Sequence, residues 1–326
     1  MIKGIIKILL ITFLILSLAI FYLSIFGLKT NKLNNQITNN VLKINKRINL
    51  SLSEVSYLLN PYNFTVNVKT KNPEILFNGK KLEIKNIQTN IALKALINDQ
   101  FSIDDLKITT KEIKLNDLII FARTFQNSPQ LFVLDTIIKD GLITINANLN
   151  FDENGKIKKN YKIEGSVKRA KLNILNKVKL NNLNFNLDID KSIYSLKQIN
   201  TKLNNIKVTS PLIEIKKNKN LFIVNGQLLN NKKNFDIDEF DSIFDNLFNN
   251  TDLRKVEFSS KNIFSFNVNE NLKFDNVKVE SIVDLNQLNF NQKNLKLKSY
   301  FPSFIDEIKL ERHKIFINYK KNKFDI

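Results

Sequence analysis

The stretch Phe64-Thr-Val-Asn-Val-Lys-Thr-Lys-Asn-Pro73-Glu-Ile-Leu-Phe-Asn-Gly-Lys-Lys-Leu-Glu-Ile84 carries the period on which the fold turns. Apolar side chains fall at 64, 66 and 68, at 75 and 77, and at 82 and 84, with mostly polar or charged residues between them. A strand sends successive side chains to opposite faces, so this spacing predicts short strands with one apolar and one polar face. Asn, Pro, Gly and Lys bound the runs, as they do at turns.

The same alternation recurs at Ile143-x-Ile145, Phe185-x-Leu187-x-Ile189, Phe264-x-Phe266-x-Val268 and Ile315-x-Ile317. Two segments depart from it. Asp117–Gln126 and Asp236–Phe248 have helical spacing with Asp at their starts, which predicts two short inserted helices. The second contains Asp236, Asp238, Asp241 and Asp245 but lacks the central Gly and closing Glu of a calcium loop. It reads as a solvated acidic helix face.

Residues 8–28 (ILLITFLILSLAIFYLSIFGL) run 21 positions without a charge. As a helix they extend about 30 Å, the thickness of a bilayer core. Ser24-Ile25-Phe26-Gly27-Leu28 offers no small-residue cleavage site, so the expectation is an uncleaved anchor over 1–28. Lys3 and Lys7 precede it, and Lys29, Lys32, Lys43, Lys46 and Arg47 follow. Read literally, the positive-inside rule would hold the body in the cytoplasm, but large domains translocate largely regardless of charge. The expected arrangement is a single pass of the inner membrane, N-terminus in the cytoplasm and body in the periplasm. Next, Leu33, Ile37, Val41, Ile44 and Ile48 form one apolar stripe, predicting an amphipathic helix over 29–49. That helix either caps the folded body or lies on the membrane surface.

The net charge of +19 and a pI of about 9.7 raise nucleic acid as a partner. Against it, the charge is almost all Lys, and Arg, the residue that forks onto bases and phosphates, occurs only at 47, 123, 169, 254 and 312. Lys is spread along the chain and Asn makes up about one residue in six, the texture of an AT-rich coding sequence. Nucleic acid is therefore excluded, and attraction to anionic headgroups is a secondary property. There is no Cys, and His313 is the single His, so thiolate sites, a Ser-His-Asp triad and His-based metal sites are all excluded. No glycine-rich phosphate loop is present. No metal, cofactor or enzymatic activity is expected.

A weak repeat runs through the β region. Leu82-Glu-Ile-Lys-Asn86-Ile87 is echoed by Val178-Lys-Leu-Asn-Asn182-Leu183 and by Leu272-Lys-Phe-Asp-Asn276-Val277, at intervals of 96 and 94 residues. Evenly spaced, similar strand pairs are what a one-dimensional stack of β units leaves behind. Pro129, Pro211 and Pro302 fall singly, and no linker interrupts 50–326, which reads as one continuous β domain.

In its order of anchor, short helix ending Lys46-Arg47-Ile48-Asn49-Leu50, and patterned strands such as Asn63–Phe77, Lys81–Ile87, Phe101–Ile108, Glu112–Leu115, Lys139–Ile145 and Leu203–Ile215, the chain resembles the AsmA-like family of bacterial envelope proteins. These include the TamB and YhdP types and resemble chorein-type bridge-like lipid carriers. The resemblance implies a mostly β protein: a long, twisted antiparallel sheet curled into an open groove with an apolar concave face, here the elongated domain 50–326. It also implies phospholipid acyl chains as ligand, with roles in phospholipid transfer or envelope homeostasis. With about 15 strands spaced ~4.8 Å apart, such a trough would be ~70 Å long. Phe64, Val66, Val68, Ile75, Phe77, Leu82 and Ile84 are the candidate groove residues, as the best-patterned apolar set near the anchor. Two other readings stay open. The apolar face could close as an ordinary core, or the chain could be a scaffold assisting outer-membrane or envelope protein assembly through strand contacts.

Overall fold

The structure is a computed structural model. It describes all residues except 1, 33, 45–47, 78–79, 95–104, 126–127, 153–157, 175–177, 205, 236, 238–250, 293–296, 304–306, 321–322 and 326. The first helix, α1 (Ile2–Ile25), is exposed along most of its length, and by length and composition is apolar enough to cross a membrane. It stops before the uncharged run does. Gly27 takes a left-handed φ of +67° and its N–H reaches back to the Tyr22 carbonyl, so Leu28 already opens β1 (Leu28–Thr30). The amphipathic helix α2 (Asn34–Ile44) is likewise shorter than its stripe predicts. Ile48 belongs to β2 (Ile48–Ser51), because the spacing from Ile48 to Leu50 is a strand period.

The remaining strands of the first half are β3 (Glu54–Asn60), β4 (Thr65–Lys71), β5 (Glu74–Phe77), β6 (Lys80–Ala92), β7 (Asp105–Thr110) and β8 (Ile113–Lys114). Two helices follow, α3 (Leu115–Phe125) and α4 (Pro129–Ile137). The helix predicted at 117–126 is present as α3, starting two residues early. The second helix was not predicted. Its signal was Ser128, whose side chain accepts from the Leu131 N–H, followed by Pro129 at the first helical turn. The helix expected at 236–248 lies, apart from Ile237, outside the described residues.

Long strands make up the rest: β9 (Ile138–Asn150), β10 (Lys162–Ile174), β11 (Val178–Asp190), β12 (Ile193–Leu203), β13 (Ile206–Asn218), β14 (Leu221–Phe235), β15 (Thr251–Asn269), β16 (Phe274–Gln292), the short helix α5 (Leu297–Tyr300), β17 (Glu307–Lys320) and β18 (Lys323–Asp325). The protein is mostly β, and its strands belong to one large antiparallel sheet that is not closed into a barrel. Two compact units share the chain: Met1–Ile113 with Thr144–Glu164, and Lys114–Ile143 with Gly165–Ile326.

In the first unit β6 is the organising strand. Its first half pairs with β5, placing Ile75 opposite Leu82, and its second half with β4, placing Val66 opposite Ile91. Val55, Val66, Val68 and Ile91 are buried together, with Ile37 of α2 packed against them. Helix α2 is held there by hydrogen bonds. The Asn34 side chain donates to the carbonyls of Leu52 and Ser53, and the Thr38 hydroxyl to that of Leu50. Of the two positions foreseen for this helix, it takes the one that caps the body. The opposite face carries amides: Gln88 donates to Asn67, Asn67 to Asn90, and Asn90 to Asp105, a polar ladder across β4, β6 and β7.

In the second unit β11 to β18 each pair with the next in sequence. Several of these strands carry one residue in the left-handed region: Arg169 in β10, Asn182 in β11, Gln198 in β12, Asn276 in β16 and Arg312 in β17. At Asn182, Gln198 and Asn276 it coincides with a register shift, the mark of a bulge, which bends the strand and increases its right-handed twist. The sequence repeat now has a physical meaning. Asn182 and Asn276 both have φ of 52°, and Asn86, the first in the series, borders a register shift between β6 and β7. Asn is among the few residues that tolerate this region, through local hydrogen bonding by its short side chain. Replacing Asn182 with Val should therefore lower stability by about 1–2 kcal/mol, with Asn182→Gly tolerated, as measured by urea unfolding.

Candidate functional site

The alternation expected along 264–268 and 315–317 is fully developed in the second unit. From Val277 to Leu285 of β16, side chains switch strictly between half-buried or buried and exposed. Cross-strand register aligns the inward set of five strands into rows. Val208, Asn230, Ser260, Val283 and Ile315 face one another from β13 to β17, and Leu228, Asn262, Ser281 and Ile317 form the adjacent row from β14 to β17. At about 4.8 Å per strand the longer row spans about 19 Å.

These rows floor a pocket of about 330 Å³, which sits at the lower end of the range for small-molecule sites. Leu203, Ile206, Val208, Leu228, Phe258, Val283 and Ile317 give it apolar walls, and no charged side chain lines it. A neutral polar band crosses the floor. Asn262 donates to the Leu228 carbonyl and to Ser260 Oγ, and Asn230 donates to the Phe258 carbonyl. These amides are thus oriented by the sheet itself. Ser210, two residues along β13 from Val208, is fully buried, and its hydroxyl has no partner among the described residues.

The apolar surface continues along β15 beyond the pocket. Phe264 and Phe266 stack with ring centroids 5.9 Å apart, and Phe274 lies 5.5 Å from Phe266. Gly226 makes this possible, since a Cβ there would stand 2.7 Å from the Phe264 ring and 2.9 Å from Ile213. The reverse face of the same strands is mixed and charged, with Lys261, Ile282 and Phe316 in one row and Asp284 beside Lys314 in the next. On β17 the Lys309 ammonium, 2.6 Å from Glu311, holds that carboxyl below its ordinary range. Neither lines the pocket.

The residues singled out from sequence lie in the first unit, and the structure divides them. Val66 and Val68 join the core under α2; Leu82 and Ile84 are buried on β6, with Ile75 half-buried opposite Leu82. Phe64 is 71% exposed, because it sits ahead of β4 with φ of 49° and leaves the strand alternation. Phe77 pairs with Lys80 at the β5–β6 turn, and its side chain lies outside the described residues. The pocket residues of the second unit were harder to see. Asn230, Ser260, Asn262 and Ser281 interrupt the apolar period there, so the strands look half-polar until register puts their Val, Leu and Ile neighbours beside one another.

Comparison with protein-family models, with curated proteins and with solved structures finds no match. The first-unit geometry makes its own prediction for unfolding of the detergent-solubilised chain. Ile84→Ala should destabilise it by about 2–5 kcal/mol, as a large-to-small change in a closed core. Phe64→Ala, at an exposed position, should stay within about 0.5 kcal/mol.

Proposed function

We propose that this chain is a membrane-anchored protein that holds a lipid acyl chain against the apolar face of its sheet, and that it serves phospholipid transfer or envelope homeostasis. The observation that carries this reading is the uncharged pocket on β12–β17, walled by Val, Leu, Ile and Phe on an open sheet. Exposing an acyl chain to water costs about 0.8 kcal/mol per CH₂, so a sixteen-carbon tail meets a barrier of about 12 kcal/mol. The uncharged row from Val208 to Ile315 spans about 19 Å, somewhat more than the ~15 Å that one leaflet contributes to a bilayer core. No bond need be made or broken, and the proposed function is not enzymatic. The neutral Asn and Ser band suits a ligand whose polar part is uncharged where it crosses the pocket, such as an ester. The resemblance to AsmA-like proteins points the same way, and with it goes the proposed placement: α1 in the inner membrane and the body in the periplasm.

The second reading is a scaffold that adds a partner's strand to its own sheet. It rests on β17, which among the described residues pairs with β18 only through Asn318–Lys320. Against it, the rest of that strand carries Lys309, Glu311, Arg312 and Lys314, charges of the kind by which natural edge strands avoid pairing.

Photo-crosslinking side chains distinguish the two. Placed at Leu228, Val283 and Ile317, they should capture lipid in cells, and at the outward neighbours Leu229, Ile282 and Phe316 they should not. Equal capture on both faces, or none on the inward one, would remove the lipid reading.

A further inference from the structure

A separate feature of the first unit concerns how the body meets the bilayer, and it does not depend on what the pocket holds. We propose that the turn between β3 and β4 is a second membrane contact, seating Tyr62 and Phe64 in the headgroup layer beside the end of α1.

Register places it there. β1 leaves α1 at Leu28, directly opposite Tyr57, and runs antiparallel to β3. Following β3 forward from Tyr57 therefore leads back alongside the helix. Contact between α1 and β3 is close. A Cβ on Gly27 would stand 2.6 Å from the Tyr57 carbonyl oxygen and 3.3 Å from Leu58, and Leu23 and Ser24 are half-buried while the helix before them is exposed. The three residues from Leu58 to Asn60 carry the strand about 10 Å further, level with the last two turns of a helix rising about 1.5 Å per residue.

What the turn presents at that level is aromatic. Tyr62 is 93% exposed and Phe64 71%, and at the end of α1 Tyr22 and Phe26, whose rings lie 5.2 Å apart, are exposed as well. Aromatic side chains, Tyr above all, collect at the water–bilayer boundary, where a ring can be buried while its polar tip stays wet. The turn is also built to hold them still. Asn60 Oδ1 accepts from the N–H groups of Tyr62 and Asn63, and the Phe64 carbonyl accepts from the Leu93 N–H at 2.8 Å. Phe64 occupies the left-handed region, a position that Gly or Asn fills more easily. The backbone thus gives no reason for Phe there, and no core contact rewards it. A lipid surface does. Lys29, just past the helix, is exposed and can meet anionic headgroups.

The chain contains no Trp, so Tyr62→Trp and Phe64→Trp each carry a single fluorophore. The full chain, reconstituted into mixed phosphatidylcholine and phosphatidylglycerol vesicles, should show blue-shifted emission from either variant. Lipids brominated near the headgroup end of their acyl chains should quench it at least twofold, and aqueous iodide should quench it less than it does free tryptophan amide. Water-like emission with full access to iodide would overturn the proposal. So would protection from iodide without quenching by brominated lipid, since that places the ring against protein.

Discussion

Strand register is the constraint on which the rest of this molecule depends. Side chains alternate with a period of two, so a slip of one residue in any pair would send its apolar set to the opposite face. In the second unit this alignment is held over strands of up to 19 residues, from β11 to β17. The pocket is a product of register alone: Val208, Val283 and Ile315 are far apart in sequence and share a row only because four successive antiparallel pairings place them there. The bulges limit what would otherwise accumulate. At Asn182, Gln198 and Asn276 a left-handed residue absorbs one position of mismatch and adds twist, so the apolar face can continue past it.

Much of this was legible in the chain. Alternation around Val66 and Val68, at Phe264–Val268 and at Ile315–Ile317 announced strands that the structure contains, because half-burial imposes the period directly. The apolar N-terminal run and the stripe through Ile37 announced helices for the same reason. Ends were less legible. Gly27 stops α1 before the apolar run stops, and a local φ angle outweighs composition there. Leu131–Ile138 is helical because Ser128 and Pro129 start it so, though its apolar run suits a strand equally well. The pocket was the least legible part, since each of its strands supplies only one to three residues and four of those are Asn or Ser. A pocket spread over six strands leaves no local motif to read.

The abundance of Asn also acquires a structural account. Asn182 and Asn276 occupy bulges, Asn60 and Asn269 accept turn N–H groups, and Asn67 and Asn90 pair across β4 and β6. An amide serves each of these roles without adding charge to a chain that is already strongly basic. Surface ion pairs such as Lys197–Asp188 and Lys81–Glu74 add little stability beside the apolar clusters. In the first unit the apolar face is closed by α2, whose Asn34 and Thr38 fasten it over Val55 and Ile91. In the second unit, among the described residues, the corresponding face keeps a cavity. That difference between two faces built from the same alternation is the basis for assigning ligand binding to the second.

Native mass spectrometry of the full chain, released from gentle detergent after purification from its membrane, addresses the central claim most directly. The account calls for a bound species of phospholipid mass at one per chain, lost when Val283 is replaced by Asp while the chain remains folded. A chain that carries no lipid, or a lipid adduct that survives Val283→Asp unchanged, would contradict it.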